Sequence, residues 1–201
     1  MGHKQYGIDV PNMETSMHLI QPIFSITHDR LEAIVPGYSS SYVFQVSHKI
    51  APRETTFSLT LKKLDVPFVK KHDYSNPETL VHYNDIARQG ASYGAFVNNE
   101  LVGFIVGEIQ SWNSTLVIRE FGVSPHLQRQ GIGKALLEAA LGKAKQEGLR
   151  GVLCETQSTN VPAVEFYQRF GFTIQGLDLS LYRNDDLDRG EVAVFLRKAI
   201  V

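Results

Sequence analysis

The sequence predicts an α/β (α+β) fold in which helices interrupt a strand series to form one mixed layer with hairpins at both ends. Three observations predict it. Runs alternating apolar and polar residues begin at Tyr42, as strands with one buried face do. Two stretches, Gly131 to about Glu147 and Pro162 to Phe170, repeat their apolar residues at helical spacing, and each is followed by a glycine. Between the apolar runs 92–97 and 101–110 lies the short polar connection Asn98-Asn99-Glu100, the signature of a hairpin.

Taken in order, residues 1 to about 40 show no sustained period. Pro11, Pro22, Pro36 and Gly37 punctuate them, and Ser39-Ser40-Ser41 reads as a loop. Leu19 to Ile26 is apolar enough to form a strand or to pack on the main body. Residues 1–41 are therefore expected to be an N-terminal extension with a segment suited to pack on the core, and residues 42–201 the domain. YVFQVSHKI (42–50) and FSLTLKKLDVPFV (57–69) alternate, the second until Pro67 breaks it. Pro77 opens a helix through about Arg88, with Asn76 or Ser75 at its cap. Next come the hairpin just described, a strand over 115–123, and the helix from Gly131, whose stripe is Leu136, Leu137, Ala140, Leu141 and Ala144. GVLCET (151–156) is strand-like. The shorter helix carries Ala163, Phe166, Tyr167 and Phe170 on one face. In the tail FTIQG, LSLYR and EVAVFLRK read as strands, the last two separated by a polar turn from Asn184 to Gly190.

The 201 residues suit a single domain, and an apolar fraction of 43% is that of a folded globule. With 20 basic and 21 acidic residues the net charge is -1, which argues against a nucleic-acid partner, since no basic excess supplies the affinity. Met1 to Asn12 carries no apolar signal core, and Leu101 to Gly107 is too short to span a bilayer, so no membrane association is expected. The lone Cys154 has no internal disulfide partner, and a cytoplasmic setting is expected. The seven histidines are scattered without a ligand pattern, so no metal is expected.

The most informative stretch runs from Val123 through Gln128, Arg129, Gln130, Gly131, Ile132 and Gly133 to Lys134. A strand enters a loop, and glycines stand where a helix begins. A helix start leaves backbone N–H groups unpaired and carries partial positive charge, and glycine lets a phosphate approach them. Arg129 and Lys134 add cations, so an anion site, best suited to a pyrophosphate, is expected. A P-loop is excluded, because Ala135 follows Lys134 where Ser or Thr is needed. The dinucleotide fingerprint is excluded by Leu136 in place of its third glycine.

Val-x-Pro-x-x-Gln-x-x-Gly-x-Gly, from Val123 to Gly133, resembles the acetyl-coenzyme A-binding signature of the GCN5-related N-acetyltransferases. Asn160, Phe166-Tyr167 and Gly171-Phe172 are similar to that superfamily's second signature. The resemblance covers roughly residues 45 to 198. It implies a central mixed, mostly antiparallel sheet with a splayed parallel strand pair and helices on both faces. A narrower likeness to the streptothricin acetyltransferases, which acetylate the β-lysine moiety of a cationic antibiotic, rests on several segments. They are Lys49 to Arg53, Trp112-Asn113, Glu155-Thr156-Gln157, Asn160, Leu181-Tyr182 and Val194-Phe195.

The implied reaction is direct attack of a primary amine of a small cationic molecule on acetyl-coenzyme A in a ternary complex. An alkylammonium of pKa about 10 must first lose a proton, costing roughly 4 kcal/mol at pH 7. The resemblance makes Tyr167 the acid for the leaving thiolate; from its stripe alone it reads as a core residue. Glu120 and Glu155 are the candidate bases, with Glu155 also a binder of the cationic acceptor. The superfamily often shows an acidic pair where this chain has Arg119-Glu120, a departure that shifts the duty to Glu120 or a water. Phe121 and Val123 are expected to meet the coenzyme through their backbone, and Asn160 to bond the pantetheine, cap its helix, or both. Glu108, Trp112 and Tyr182 are the candidate acceptor-binding residues, although Trp112 and Tyr182 read equally as core. Cys154 is expected to be structural. A protein lysine or N-terminal acetyltransferase and a non-catalytic acyl-coenzyme A-binding module are the alternatives. A homodimer is compatible with all of them.

Overall fold

The structure, a computed structural model, describes residues 18–200, so the expectation for Met1 to Asn12 lies outside the described residues. Nine strands and five helices follow one another in the order β1 (Leu19–Pro22), α1 (His28–Ile34), β2 (Gly37–Ala51), β3 (Glu54–Lys71), α2 (Pro77–Ala87), β4 (Tyr93–Val97), β5 (Glu100–Gln110) and β6 (Thr115–Val123), then α3 (Ile132–Gln146), β7 (Gly151–Gln157), α4 (Val161–Arg169), β8 (Thr173–Asp178), α5 (Asp186–Arg189) and β9 (Ala193–Ala199). Seven strands form one sheet in the order β1-β4-β5-β6-β7-β9-β8, and β2 and β3 form a separate two-stranded ribbon. Every pairing is antiparallel except β6 with β7. This is the mixed, mostly antiparallel sheet the sequence predicts.

β5 shows why both faces are covered. It is a nearly continuous apolar run, as a strand buried on two sides must be. Ile105 joins one cluster with Leu136, Leu137 and Ala140 of α3. Phe104 and Val106, pointing the other way, join a second cluster with Leu31 and Ile34 of α1 and Ile86 of α2. The β4–β5 turn has Asn98 and Asn99 at φ +50° and +64°, the paired positive values of a type I′ hairpin. α2 begins as its sequence requires, with Asn76 Oδ1 accepting the Glu78 N–H (3.0 Å) and Pro77 in the first turn.

Three expectations are corrected. Ser39-Ser40-Ser41 is not a loop but part of β2, where Ser40 Oγ both donates to the Tyr42 carbonyl (2.6 Å) and accepts its N–H (3.3 Å) across a register shift. Pro67 does not end β3, which continues to Lys71. Ser40 pairs with Phe68 while Tyr42 pairs with Lys63, so Pro67 falls in the unpaired stretch between them, where its missing N–H removes no ladder bond. LSLYR is not a strand. Asp178 Oδ1 accepts the Ser180 N–H (2.9 Å) and Asp186 Oδ2 the Tyr182 N–H (2.8 Å), so carboxylates take the donors a ladder would need.

Candidate active site

The site forms where β6 and β7 part. Their parallel pairing covers only Thr115–Ile118 against Gly151–Cys154. Beyond that, β6 stays with β5 as far as Val123 opposite Gly103, and β7 stays with β9 as far as Gln157 opposite Ala193. Arg119 is an extra residue in β6, because Ile118 and Glu120 pair with consecutive β5 residues, Gly107 and Val106. A one-residue bulge bends the strand and re-aims the side chains after it. The wedge between the strands is a cleft of about 1330 Å³, lined among others by Glu120, Phe121, Gly131, Gly133, Glu155 and Tyr167.

One end of it is the start of α3. Gly131 is the N-cap at φ +88° and Arg129 stands at φ +62°, left-handed values that turn the loop sharply into the helix. The first helical bond is Ala135 N–H to Gly131 C=O (3.0 Å), which leaves the amides ahead of it for a ligand. A Cβ on Gly131 would meet nothing within 4 Å, and one on Gly133 nothing nearer than Phe121 Cζ at 3.5 Å, so the approach is open. Gln128 Nε2 donates to the Val123 carbonyl (3.1 Å), tying the loop to β6. Ile132 is buried in the core, leaving only its amide toward this end, and Gln130 Nε2 donates to the His126 carbonyl (3.3 Å). Lys134, mostly exposed, lies 3.8 Å from Glu138 Oε1.

Glu120 is the most constrained group in the cleft. Its Oε2 accepts from the Tyr74 hydroxyl (3.0 Å) and the Tyr83 hydroxyl (3.2 Å), and its Oε1 from the Phe121 N–H (3.0 Å). Tyr74 is buried on the approach to α2, and Tyr83 lies on that helix. Burial pushes the Glu120 carboxyl above the usual carboxylate range, and its three donors pull it partly back. Tyr83→Phe removes one donor and so raises it further. The acidic limb of kcat/KM against pH should move to higher pH, with a several-fold loss on that side and little change on the plateau.

Tyr167 lines the cleft from α4 with only 5% of its surface exposed. Burial above all, with the Cys154 thiol and the Glu120 charge adding, holds its hydroxyl well above the ordinary tyrosine range, so it keeps its proton. Cys154 is itself buried. Glu155 accepts from the Tyr182 hydroxyl, and burial raises its carboxyl. Lys70 lies over the Tyr182 ring, 5.5 Å from its centroid, and is ion-paired with Glu191. Asn160 Oδ1 accepts the Ala163 N–H (3.3 Å) as the α4 N-cap, and the residue also lines the cleft.

Two acceptor candidates lie outside the lining of the cleft. Trp112 sits in the β5–β6 turn, 83% exposed, and does not line the cleft, because its strands carry it to the end opposite the wedge. Glu108 turns to Arg119, pairing at 2.5 Å, and it is Arg119 that reaches the cleft. Sequence reasoning missed Tyr74, Tyr83 and Tyr38, whose hydroxyl meets Thr159 Oγ1 at 2.7 Å. No local spacing signals them, since their partners lie 37 to 121 residues away.

Residues 59–172 match the Acetyltransferase (GNAT) family. The chain is 32% identical over 172 residues to a streptothricin acetyltransferase of Streptomyces lavendulae, covering 84% of this chain and 87% of that one. It is 37% identical to one of Escherichia coli over 56% of this chain and 64% of that one. It is 30% identical to streptothricin acetyltransferase A of Bacillus subtilis over 69% and 78%. The crystal structure of a nourseothricin acetyltransferase superposes with a TM-score of 0.71 at 25% identity, over 92% of this chain and 99% of that one. A further structure shares the fold at a TM-score of 0.69 and 24% identity, over 91% and 99%. It is a protein of Bacillus anthracis str. Ames in complex with acetyl coenzyme A. The chain thus belongs to the acetyltransferase (GNAT) family, resembles its streptothricin acetyltransferase branch, and is an N-acetyltransferase with acetyl-coenzyme A as donor.

Proposed function

We propose that the protein acetylates a primary amine of a small cationic molecule of the streptothricin type, by direct attack in a ternary complex. The observation that carries this is the clamped carboxylate: Glu120 sits in the same cleft as the α3 N-terminus and Tyr167, bonded to two phenols. Glu155, also in the cleft, is likewise bonded to a phenol, while Arg119 and Lys70 are engaged by Glu108 and Glu191. Two carboxylates whose bonding partners are neutral phenols are not taken up by a protein cation, so a cationic acceptor can pair with them. The named relatives support the same acceptor class.

In this mechanism the amides at the start of α3, with Arg129 and Lys134 beside them, hold the diphosphate of the coenzyme. Phe121 N–H and the Val123 carbonyl are bonded to Glu120 and Gln128 here. The pantetheine arm takes over these main-chain groups of the splayed strand from the two side chains when it binds. The Asn160 amide nitrogen is free of the cap bond its oxygen makes, and donates to the same arm. Glu155, held by the Tyr182 hydroxyl, seats the ammonium; Glu120 takes its proton, the raised carboxyl lying nearer neutral pH than an ordinary glutamate. Tyr167 returns a proton to the departing thiolate.

Acetyl-coenzyme A-dependent thiol release against streptothricin, polyamines, aminoglycosides and lysine peptides tests the acceptor class. Highest kcat/KM is expected with a small polycation, and a preference for the peptides would overturn it. Gly133→Asp tests the coenzyme seat. The Cβ is tolerated at 3.5 Å, so the fold should survive, but a carboxylate beside the diphosphate should weaken acetyl-coenzyme A binding by at least tenfold in calorimetry. Unchanged affinity would move the seat elsewhere.

A further inference from the structure

One of the two phenols that hold Glu120 leads on to a third group. The Tyr74 hydroxyl donates to Glu120 Oε2 (3.0 Å) and also lies 3.2 Å from His72 Nδ1. His72 follows the end of β3 and stands half-buried in the wall of the cleft. Its backbone N–H donates to the Pro36 carbonyl (3.1 Å), and its ring stands edge-on between Tyr38 and Tyr74, at centroid distances of 6.0 and 5.9 Å. The imidazole is thus fixed in orientation. Glu120 Oε2, Tyr74 Oη and His72 Nδ1 form a line of bonds from the carboxylate to a ring at the cleft surface.

The reaction gives that line something to carry. An ammonium that becomes an amide loses two protons; one ends on the coenzyme thiol, and the other must reach water in every turnover. On the reading of Glu120 as the base, we propose that His72 is the outlet for this proton, receiving it from Glu120 through the Tyr74 hydroxyl. The ammonium N–H bond breaks as an O–H bond forms on Glu120. With the His72 lone pair on Nδ1, the Glu120 proton passes to Tyr74 Oη as the Tyr74 proton passes to Nδ1, so no phenolate forms. The imidazolium then loses its Nε2 proton to water. Tyr74 is left donating to Glu120, as in the structure, and exchange of the ring protons with water restores the starting tautomer.

The surroundings suit each step. Burial above all, with the Glu120 charge adding, holds the Tyr74 hydroxyl far above the ordinary tyrosine range, so the proton passes through without ionising it. Burial and then the Lys70 charge hold the His72 imidazole below its usual range, while the Val35 carbonyl and Glu191 act the other way. A neutral ring has both the lone pair and the N–H that the relay needs. The other groups facing Glu120 are Tyr83, Arg119, Glu155 and Tyr167. Arg119 only donates and is paired with Glu108, Glu155 is bonded to Tyr182, and Tyr167 serves the thiolate, which leaves the imidazole. His72 acts through Tyr74 and is in this sense a positioning residue for the proton on Glu120.

Steady-state kinetics with added imidazole tests this. Glu120 is reset after the acetyl group has moved, so His72→Ala should lower kcat at least tenfold while kcat/KM for the acceptor stays within about twofold of wild type. Imidazole should restore at least fivefold of the loss in His72→Ala, in proportion to its free-base form. It should restore nothing in Tyr74→Phe, which lacks the hydroxyl between ring and carboxylate. His72→Gln keeps a polar partner for Tyr74 but cannot pass a proton on, and should be as slow as His72→Ala at an unchanged melting temperature. Wild-type kcat in either His72 variant, or a loss that imidazole does not repair, would overturn the relay. The reading of Glu120 as the base fails separately, through wild-type kcat/KM in Glu120→Gln. An impaired Glu120→Gln beside a normal His72→Ala overturns the relay alone.

Discussion

Tyr167→Phe is expected to lower kcat by about one to three decades while acetyl-coenzyme A binds as before. The substitution removes one oxygen from a residue that is nearly all buried, and the ring keeps its packing against Phe121, Phe166 and Phe172, at centroid distances of 6.2, 5.5 and 5.2 Å. Folding should therefore be little affected, and the loss should fall on the chemical step. The hydroxyl is suited to donate because burial and the neighbouring Glu120 charge both oppose its ionisation, so the proton is present at every pH where the enzyme works. Steady-state rates with calorimetry of the coenzyme check this. A variant with wild-type kcat would leave Tyr167 a packing residue. Cys154→Ala, tested alongside, should keep near-normal kcat.

Glu120→Gln should cost about 10²–10⁴ in kcat/KM, the usual worth of a general base. It should also erase the acidic limb of the pH profile. The sign follows from the burial that raises the carboxyl. As pH falls through its elevated pKa, Glu120 takes up a proton and can no longer accept one from the amine. Activity should therefore be lost on the acidic side earlier than with an ordinary glutamate. With Gln there is no such titration, and the residual rate should follow the amine's own ionisation. Glu155→Gln separates binding from proton transfer: KM for the cation should rise while the acidic limb stays. If Glu155→Gln were the variant that erased the limb, the two carboxylates would exchange roles.

Much of the fold is written in local pattern. Glycines 131, 148 and 171 stand at helix ends with φ of +88°, +65° and +81°, Asn76 and Asn160 cap their helices, and the Asn98-Asn99 turn closes its hairpin. Each of these is a backbone requirement that a nearby residue meets, so a short stretch of sequence reveals it. The misreadings also share a cause. Ser39 to Ser41, Pro67 and the 179–183 segment look like loop, break and strand by composition. A cross-strand partner, an unpaired bulge and two aspartate side chains then decide otherwise.

The sequence by itself determined the mixed sheet, the glycine-marked start of α3 and the aromatic stripe of α4. Tertiary structure decided which groups meet. Tyr74 and Tyr83 reach Glu120 across 46 and 37 residues, Tyr182 reaches Glu155 across 27, and Trp112 is carried out of the site altogether. Caps, turns and apolar periods act between neighbours a few residues apart and leave a trace in spacing. A carboxylate's bonding partners are set by strand order, by the bulge at Arg119 and by the divergence of β6 from β7, none of which has a local signature.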